Sequence, residues 1–169
     1  KKIADKHGFS LMMWSDMFIR LHNNGQYEFC EGEIKLPQET IDSVPEGVEL
    51  IYWDYYSKDK AHYDNILQTH EKFKNPIGFA GGIHTWMGYA PNLQLSLNTV
   101  EASMRSIQEH SVNTVFITLW GDNGKDCSYY TALPVIFVAA QMANGNFDKE
   151  DIAKQFREKY DYTFEEFMN

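Results

Sequence analysis

The chain has 169 residues, enough for one domain with a hydrophobic core, and its formal net charge of −9 argues against nucleic acid or anionic membrane as a partner. No apolar run approaches the roughly 18 residues that span a bilayer, and residues 1–9 (KKIADKHGF) lack the apolar centre of a secretion signal. Aromatics make up 15% of the sequence, and many stand beside Asp, Gly or His; such interleaving suits a sugar, whose apolar face stacks on a ring while a carboxylate takes its hydroxyls.

In chain order, residues 1–7 read as the last turns of a helix stopped by Gly8, the residue type that takes the left-handed conformation at a helix C-terminus. A chain that opens on the end of a helix reads as part of something longer. Residues 9–14 (FSLMMW) are the first expected strand, and Ser15-Asp16 is placed to cap a helical turn over 17–22. Residues 23–46 are polar and turn-rich, with one short helix expected over 37–44. Residues 48–53 (VELIYW) form the second strand, which ends in Asp54-Tyr55-Tyr56. A helix over 59–74 follows, with Tyr63, Ile66, Leu67 and His70 at core spacing. The third strand, 77–80 (IGFA), runs into Gly81-Gly82-Ile83-His84-Thr85-Trp86-Met87-Gly88-Tyr89. A long amphipathic helix over 93–110 sets Leu93, Leu97, Val100, Met104 and Ile107 on its apolar side.

Residues 115–124 (VFITLWGDNG) organise the rest. A buried strand that releases Trp120 and Asp122 in a glycine-bracketed turn is how an α/β barrel builds a ligand site at its strand ends. An apolar helix over 130–143 comes next, then a helix over 149–160 capped by Asp148, and a last turn over 163–168. Four β-α units with short buried strands predict an α/β fold with a parallel sheet, half of a (β/α)8 TIM barrel. All four tryptophans fall at strand C-terminal ends: Trp14, Trp53, Trp86 and Trp120. Three of them have an Asp within two residues (Asp16, Asp54, Asp122), and Trp86 has His84 and Tyr89 beside it. The convergence of strand ends makes these nine residues, with Tyr56, the candidate pocket.

As a set, His7-Gly8-Phe9, Met13-Trp14-Ser15-Asp16-Met17, Tyr52-Trp53-Asp54-Tyr55-Tyr56, Gly81-Gly82-Ile83-His84-Thr85-Trp86 and Leu119-Trp120-Gly121-Asp122 resemble the C-terminal half of the catalytic barrel of glycoside hydrolase family 20 β-N-acetylhexosaminidases. The likeness covers most of residues 1–169, through strands five to eight of that barrel, and is greatest to the bacterial branch without secretion signals, which implies a cytoplasmic enzyme. The resemblance implies that Trp14, Trp53 and Trp120 box in the N-acetyl group and sugar ring. It implies that Asp122 binds the sugar's hydroxyls, and that Trp86 or Tyr89 takes the place of a tyrosine on the acetamide. The implied substrate is a glycan with a terminal N-acetylhexosamine, cleaved with help from its own acetamide and without a cofactor or metal.

The departures are specific. In that family an Asp-Glu pair on strand four supplies the acid and its helper, and an Arg on strand one grips the sugar. Residues 1–169 contain no Asp-Glu dipeptide, so the catalytic pair is expected upstream of residue 1. Glu31 and Glu33 read as solvated surface charges, Cys30 and Cys127 as free thiols, and His62 and His70 as ordinary helix residues. His70-Glu71 lacks the second histidine that a zinc-protease motif needs, since Lys74 stands there. Two rival readings remain, a different barrel glycosidase and a non-catalytic carbohydrate-binding or interaction domain. A half barrel also has two open strand edges, so self-association of the chain is expected.

Overall fold

The computed structural model describes residues 1–27, 32–122 and 126–168, leaving the expectations for Cys30, Glu31, Asn123 and Gly124 outside the described residues. The order is α1 (Lys2–His7), β1 (Leu11–Trp14), α2 (Asp16–Arg20), α3 (Gln38–Ser43), β2 (Val48–Trp53), α4 (Lys60–Glu71), β3 (Ile77–Gly82), α5 (Leu93–Ile107), β4 (Val112–Thr118), a 3-10 turn (Tyr129–Ala132), α6 (Leu133–Ala143), α7 (Lys149–Tyr160) and α8 (Phe164–Met168). The strands form one sheet in the order β1-β2-β3-β4, and every neighbouring pair is parallel. All four carboxyl ends therefore leave the sheet on the same side.

Alternation along each strand divides the sheet into two faces. Tyr52 of β2 and Phe79 of β3 turn into a continuous core with Tyr63, Ile66 and Leu67 of α4, Val100 and Met104 of α5 and Val135 of α6. A smaller cluster of Val44, Val48, Leu50 and Phe73 covers β1 from the same side, with Phe18 packed on it. The other face is open: Met12, Trp14 and Phe116 are all more than one-third exposed. A hollow of about 300 Å³ on that face is lined by Met12, Trp14, Ile51, Phe116, Thr118 and Trp120.

Several boundaries differ from the sequence reading for identifiable reasons. The first strand begins at Leu11 rather than residue 9, because the Phe9 amide is taken by the Ala4 carbonyl in the αL cap built on Gly8. Ser15 does not cap α2 with its side chain; its hydroxyl lies 2.8 Å from the Ile51 carbonyl and 2.7 Å from His70 Nε2 instead. The third strand continues through Gly81 and Gly82, since pairing with Ile117 and Thr118 supplies what the two glycines lack in strand propensity. The fourth strand begins at Val112, with Asn113 as the extra residue of a bulge opposite Ile77 and Gly78, and α5 ends at Ile107. No helix among the described residues is long and apolar enough to cross a membrane.

Candidate functional site

At the carboxyl ends the side chains that sequence places together are joined by one it did not single out, Tyr55. Its ring lies 5.5 Å from Trp53, 4.9 Å from Tyr56, 5.2 Å from Trp86 and 6.3 Å from His84. It reaches that position because β3 ends in glycine: a Cβ on Gly82 would stand 2.8 and 2.9 Å from Cδ1 and Cγ of the Tyr55 ring. Burial pushes the Tyr55 hydroxyl up to about 12, Tyr56 and Asp122 add to the rise, and the Trp120 side chain opposes it. The ends of β2 and β4 thus meet at this hydroxyl. Thr85 closes the same seam by donating to the Trp120 carbonyl at 2.9 Å.

The tryptophans form a graded shelf. Trp14 and Trp120 are 45% and 37% exposed across the hollow, available to a ligand. Trp53 is half-buried; Tyr27 packs on it at 5.2 Å, and the Arg20 guanidinium carbon lies 5.8 Å from its ring. The Trp86 ring lies tilted against His84 at 4.8 Å, whereas Tyr89 is 86% exposed and has no ring contact among the described residues. Of the two candidates on this segment, Trp86 belongs to the cluster and Tyr89 stands apart. Asp122 is exposed at the end of the β4 segment, next to the shelf.

The other polar candidates support the shelf from below. Asp54 is buried and accepts from the Tyr52 hydroxyl at 3.2 Å, the Tyr56 amide at 2.9 Å and His62 Nε2 at 2.7 Å. Three donors around one carboxylate fix the turn that carries Tyr55 and Tyr56, so Asp54 faces the helix layer rather than a ligand. Asp16 pairs with Arg20 at 3.0 Å, the residue that lies over Tyr27 and Trp53. His84 is fully buried; its amide and Nδ1 both lie within 3.1 Å of Ser96 Oγ, and Nε2 has no hydrogen-bond partner. Burial lowers its pKa, partly offset by the Tyr55 carbonyl, which keeps the ring neutral near pH 7.

Ser15 and His70 form a serine-histidine pair at 2.7 Å, the spacing of an activated nucleophile. Both side chains are completely buried, and the pair ties the end of β1 to α4. A larger hollow of about 420 Å³ lies between α5, α6, α7 and α8, lined by Leu97, Val138, Met142, Ile152 and Phe164. Its lining includes the Glu101–Lys149 ion pair at 2.7 Å and Glu165. Glu33 is exposed and pairs with Lys72 at 3.2 Å, and Cys127 is a buried free thiol. No group of three or more His, Cys, Asp or Glu side chains with metal-binding geometry occurs among the described residues.

Sequence reasoning missed Tyr55, Gly82 and His62. The first had a signal: two residues beyond Trp53, it repeats the strand period and emerges on the same side. His62 had a weaker one, its place in the first turn of the helix that follows Asp54. Chemically the strand ends make an aromatic shelf with one solvated carboxylate, which equips them for recognition. No family model and no curated protein matches the chain.

Proposed function

We propose that this chain is the aromatic half of a (β/α)8-barrel sugar site, belonging to an exo-acting β-N-acetylhexosaminidase that removes terminal N-acetylglucosamine or N-acetylgalactosamine from glycans. One observation carries the reading: a parallel sheet brings Trp14, Trp53, Trp86 and Trp120 to the same end, with Asp122 free beside them. Aromatic faces stack on the apolar side of a pyranose, and a carboxylate at their edge takes its hydroxyls in pairs. In this reading Trp120 and Trp14 are the stacking surfaces, and Tyr55 and Trp53 set their spacing. Asp122 binds ring hydroxyls, and Asp54 with His62 holds the turn.

The acid is not among these residues. Asp54 and Asp16 are committed to internal partners, and the chain contains no Asp-Glu pair for the acetamide-assisted step. The proposal assigns that pair, and the arginine that grips the sugar, to the complementary four β/α units of the barrel. The enzyme would work in the bacterial cytoplasm, as the resemblance implies.

The test is binding and turnover read side by side. Titration with N-acetylglucosamine should change tryptophan emission saturably, glucose should do so far less, and a chromogenic β-N-acetylglucosaminide should be cleaved only when the chain is joined to the four complementary units. Saturable binding without turnover in the joined protein would favour a carbohydrate-binding module. Equal response to glucose would favour a different barrel glycosidase.

A further inference from the structure

The open face of the sheet holds one polar group that nothing among the described residues accounts for. Glu49 is the second residue of β2, opposite Met12 of β1. Val48, Leu50 and Tyr52 on either side of it turn into the helix layer, so Glu49 shares the open face with Ile51 and Trp53. Gly78 on β3 makes room for it; a Cβ there would come within 3.1 Å of Glu49 Oε1. That oxygen is buried and has no hydrogen-bond partner. A carboxylate oxygen in this state is costly unless a cation or donor reaches it.

The strands themselves cannot supply one. LMMW, VELIYW, IGFAGG and VNTVFIT contain no lysine, arginine or histidine, and Glu49 is the sole charged residue among them. Around it the open face is apolar, with Met12 and Phe116 exposed, and β1 and β4 each pair with one strand only. Such a surface is built to be covered by further strands that also satisfy both edges.

We propose that this face is one wall of a closed barrel interior, and that the wall completing it presents a lysine or arginine to the Glu49 carboxylate. The inference rests on the half-barrel reading above and specifies the chemistry of the missing half. The occupant is a set of four parallel β/α units bearing an inward cation near the amino ends of its strands. A second copy of this chain closes both edges equally well by two-fold symmetry, but it brings a second Glu49 and no cation into the same interior. Charge therefore decides between the two occupants.

The experiment makes the chain its own surrogate partner. Wild type, a Glu49→Lys chain and their equimolar mixture are compared by sedimentation equilibrium, at low salt and in 1 M salt. The mixture supplies carboxylate and ammonium across one interior, so its dissociation constant should be at least tenfold below that of either chain alone. The Glu49→Gln chain, which removes repulsion without adding a cation, should self-associate more tightly than wild type and less tightly than the mixture. If Glu49→Lys does not fold, as judged by near-UV circular dichroism, the Glu49→Gln comparison alone decides. Wild type pairing with itself as tightly as with Glu49→Lys would overturn the proposal in favour of a second copy. Absence of pairing in a well-folded mixture, or no gain from Glu49→Gln, would overturn it too. No sugar enters these measurements, so loss of N-acetylglucosamine binding at the tryptophans would count against the glycosidase reading alone.

Discussion

His70 should make the fold acid-sensitive well above the carboxylate range. The ring is fully buried on α4, with Nδ1 2.8 Å from the Ile66 carbonyl and Nε2 2.7 Å from Ser15 Oγ. A carbonyl only accepts, so the neutral ring keeps its proton on Nδ1, and Nε2 shares the single Ser15 hydroxyl proton with the Ile51 carbonyl. Burial pushes the imidazole down to about 4, although the Ile66 carbonyl favours protonation, while the unfolded ring titrates near 6.5. Between these values the unfolded chain binds the extra proton, so stability is full above pH 6.5 and falls as the pH drops towards 4. Integrating the two titrations from pH 7.5 to 4.5 gives a loss of roughly 2–3 kcal/mol from this one group. Urea unfolding of wild type and His70→Gln across that range isolates it, because other titrating groups, His84 included, cancel in the difference. The stability gap between the two proteins should shrink by roughly 2–3 kcal/mol on acidification. Parallel curves, or an imidazole resonance in the native protein that titrates near 6.5, would refute the buried neutral pair.

Three further outcomes test the site. Gly82→Ala puts a methyl within 3 Å of the Tyr55 ring, so it should cost about 1–3 kcal/mol in thermal unfolding and alter the near-UV aromatic spectrum; an unchanged spectrum would mean the ring is not seated on β3. Asp54→Ala removes the acceptor of three hydrogen bonds behind the sheet and should destabilise by about 3 kcal/mol in urea, whereas an exposed ligand-binding carboxylate would cost almost nothing. Trp120→Ala should weaken N-acetylglucosamine binding at least tenfold, about 1.4 kcal/mol, and Tyr89→Ala should leave it unchanged; the reverse result in a fluorescence titration would exchange their roles.

The layers of the fold were legible because they follow from periodicity. Tyr63, Ile66, Leu67 and His70 repeat at helical spacing, and all four are fully buried against β2 and β3. What local pattern does not carry is where tertiary pairing overrides propensity. Gly81 and Gly82 are poor strand residues, yet each is paired with β4, and the second is the glycine on which Tyr55 rests. Nor does it carry the destination of a small polar group. Ser15 stands where a helix cap belongs, but its hydroxyl lies against Ile51 and His70, residues 36 and 55 positions away.

The carboxylates show how far a motif can be read before geometry is needed. Each of Asp16, Asp54 and Asp122 follows a strand-end tryptophan within two residues, and the sequence reading ranks Asp122 above the other two. Parity separates them. Trp53 lies on the open face of β2, so the next residue turns to the helix layer, and Asp54 meets His62 of α4 there at 2.7 Å. An Asp two residues beyond its tryptophan keeps the tryptophan's side, which leaves Asp122 exposed beside the shelf. Asp16 has the same spacing, but α2 begins at that residue, and helical geometry brings it onto Arg20 four positions later. The spacing therefore leaves Asp122 as the exposed carboxylate beside the aromatics, provided that no helix starts at the position. Tyr55, two residues beyond Trp53, obeys the same rule, and it is the ring around which the other aromatics gather.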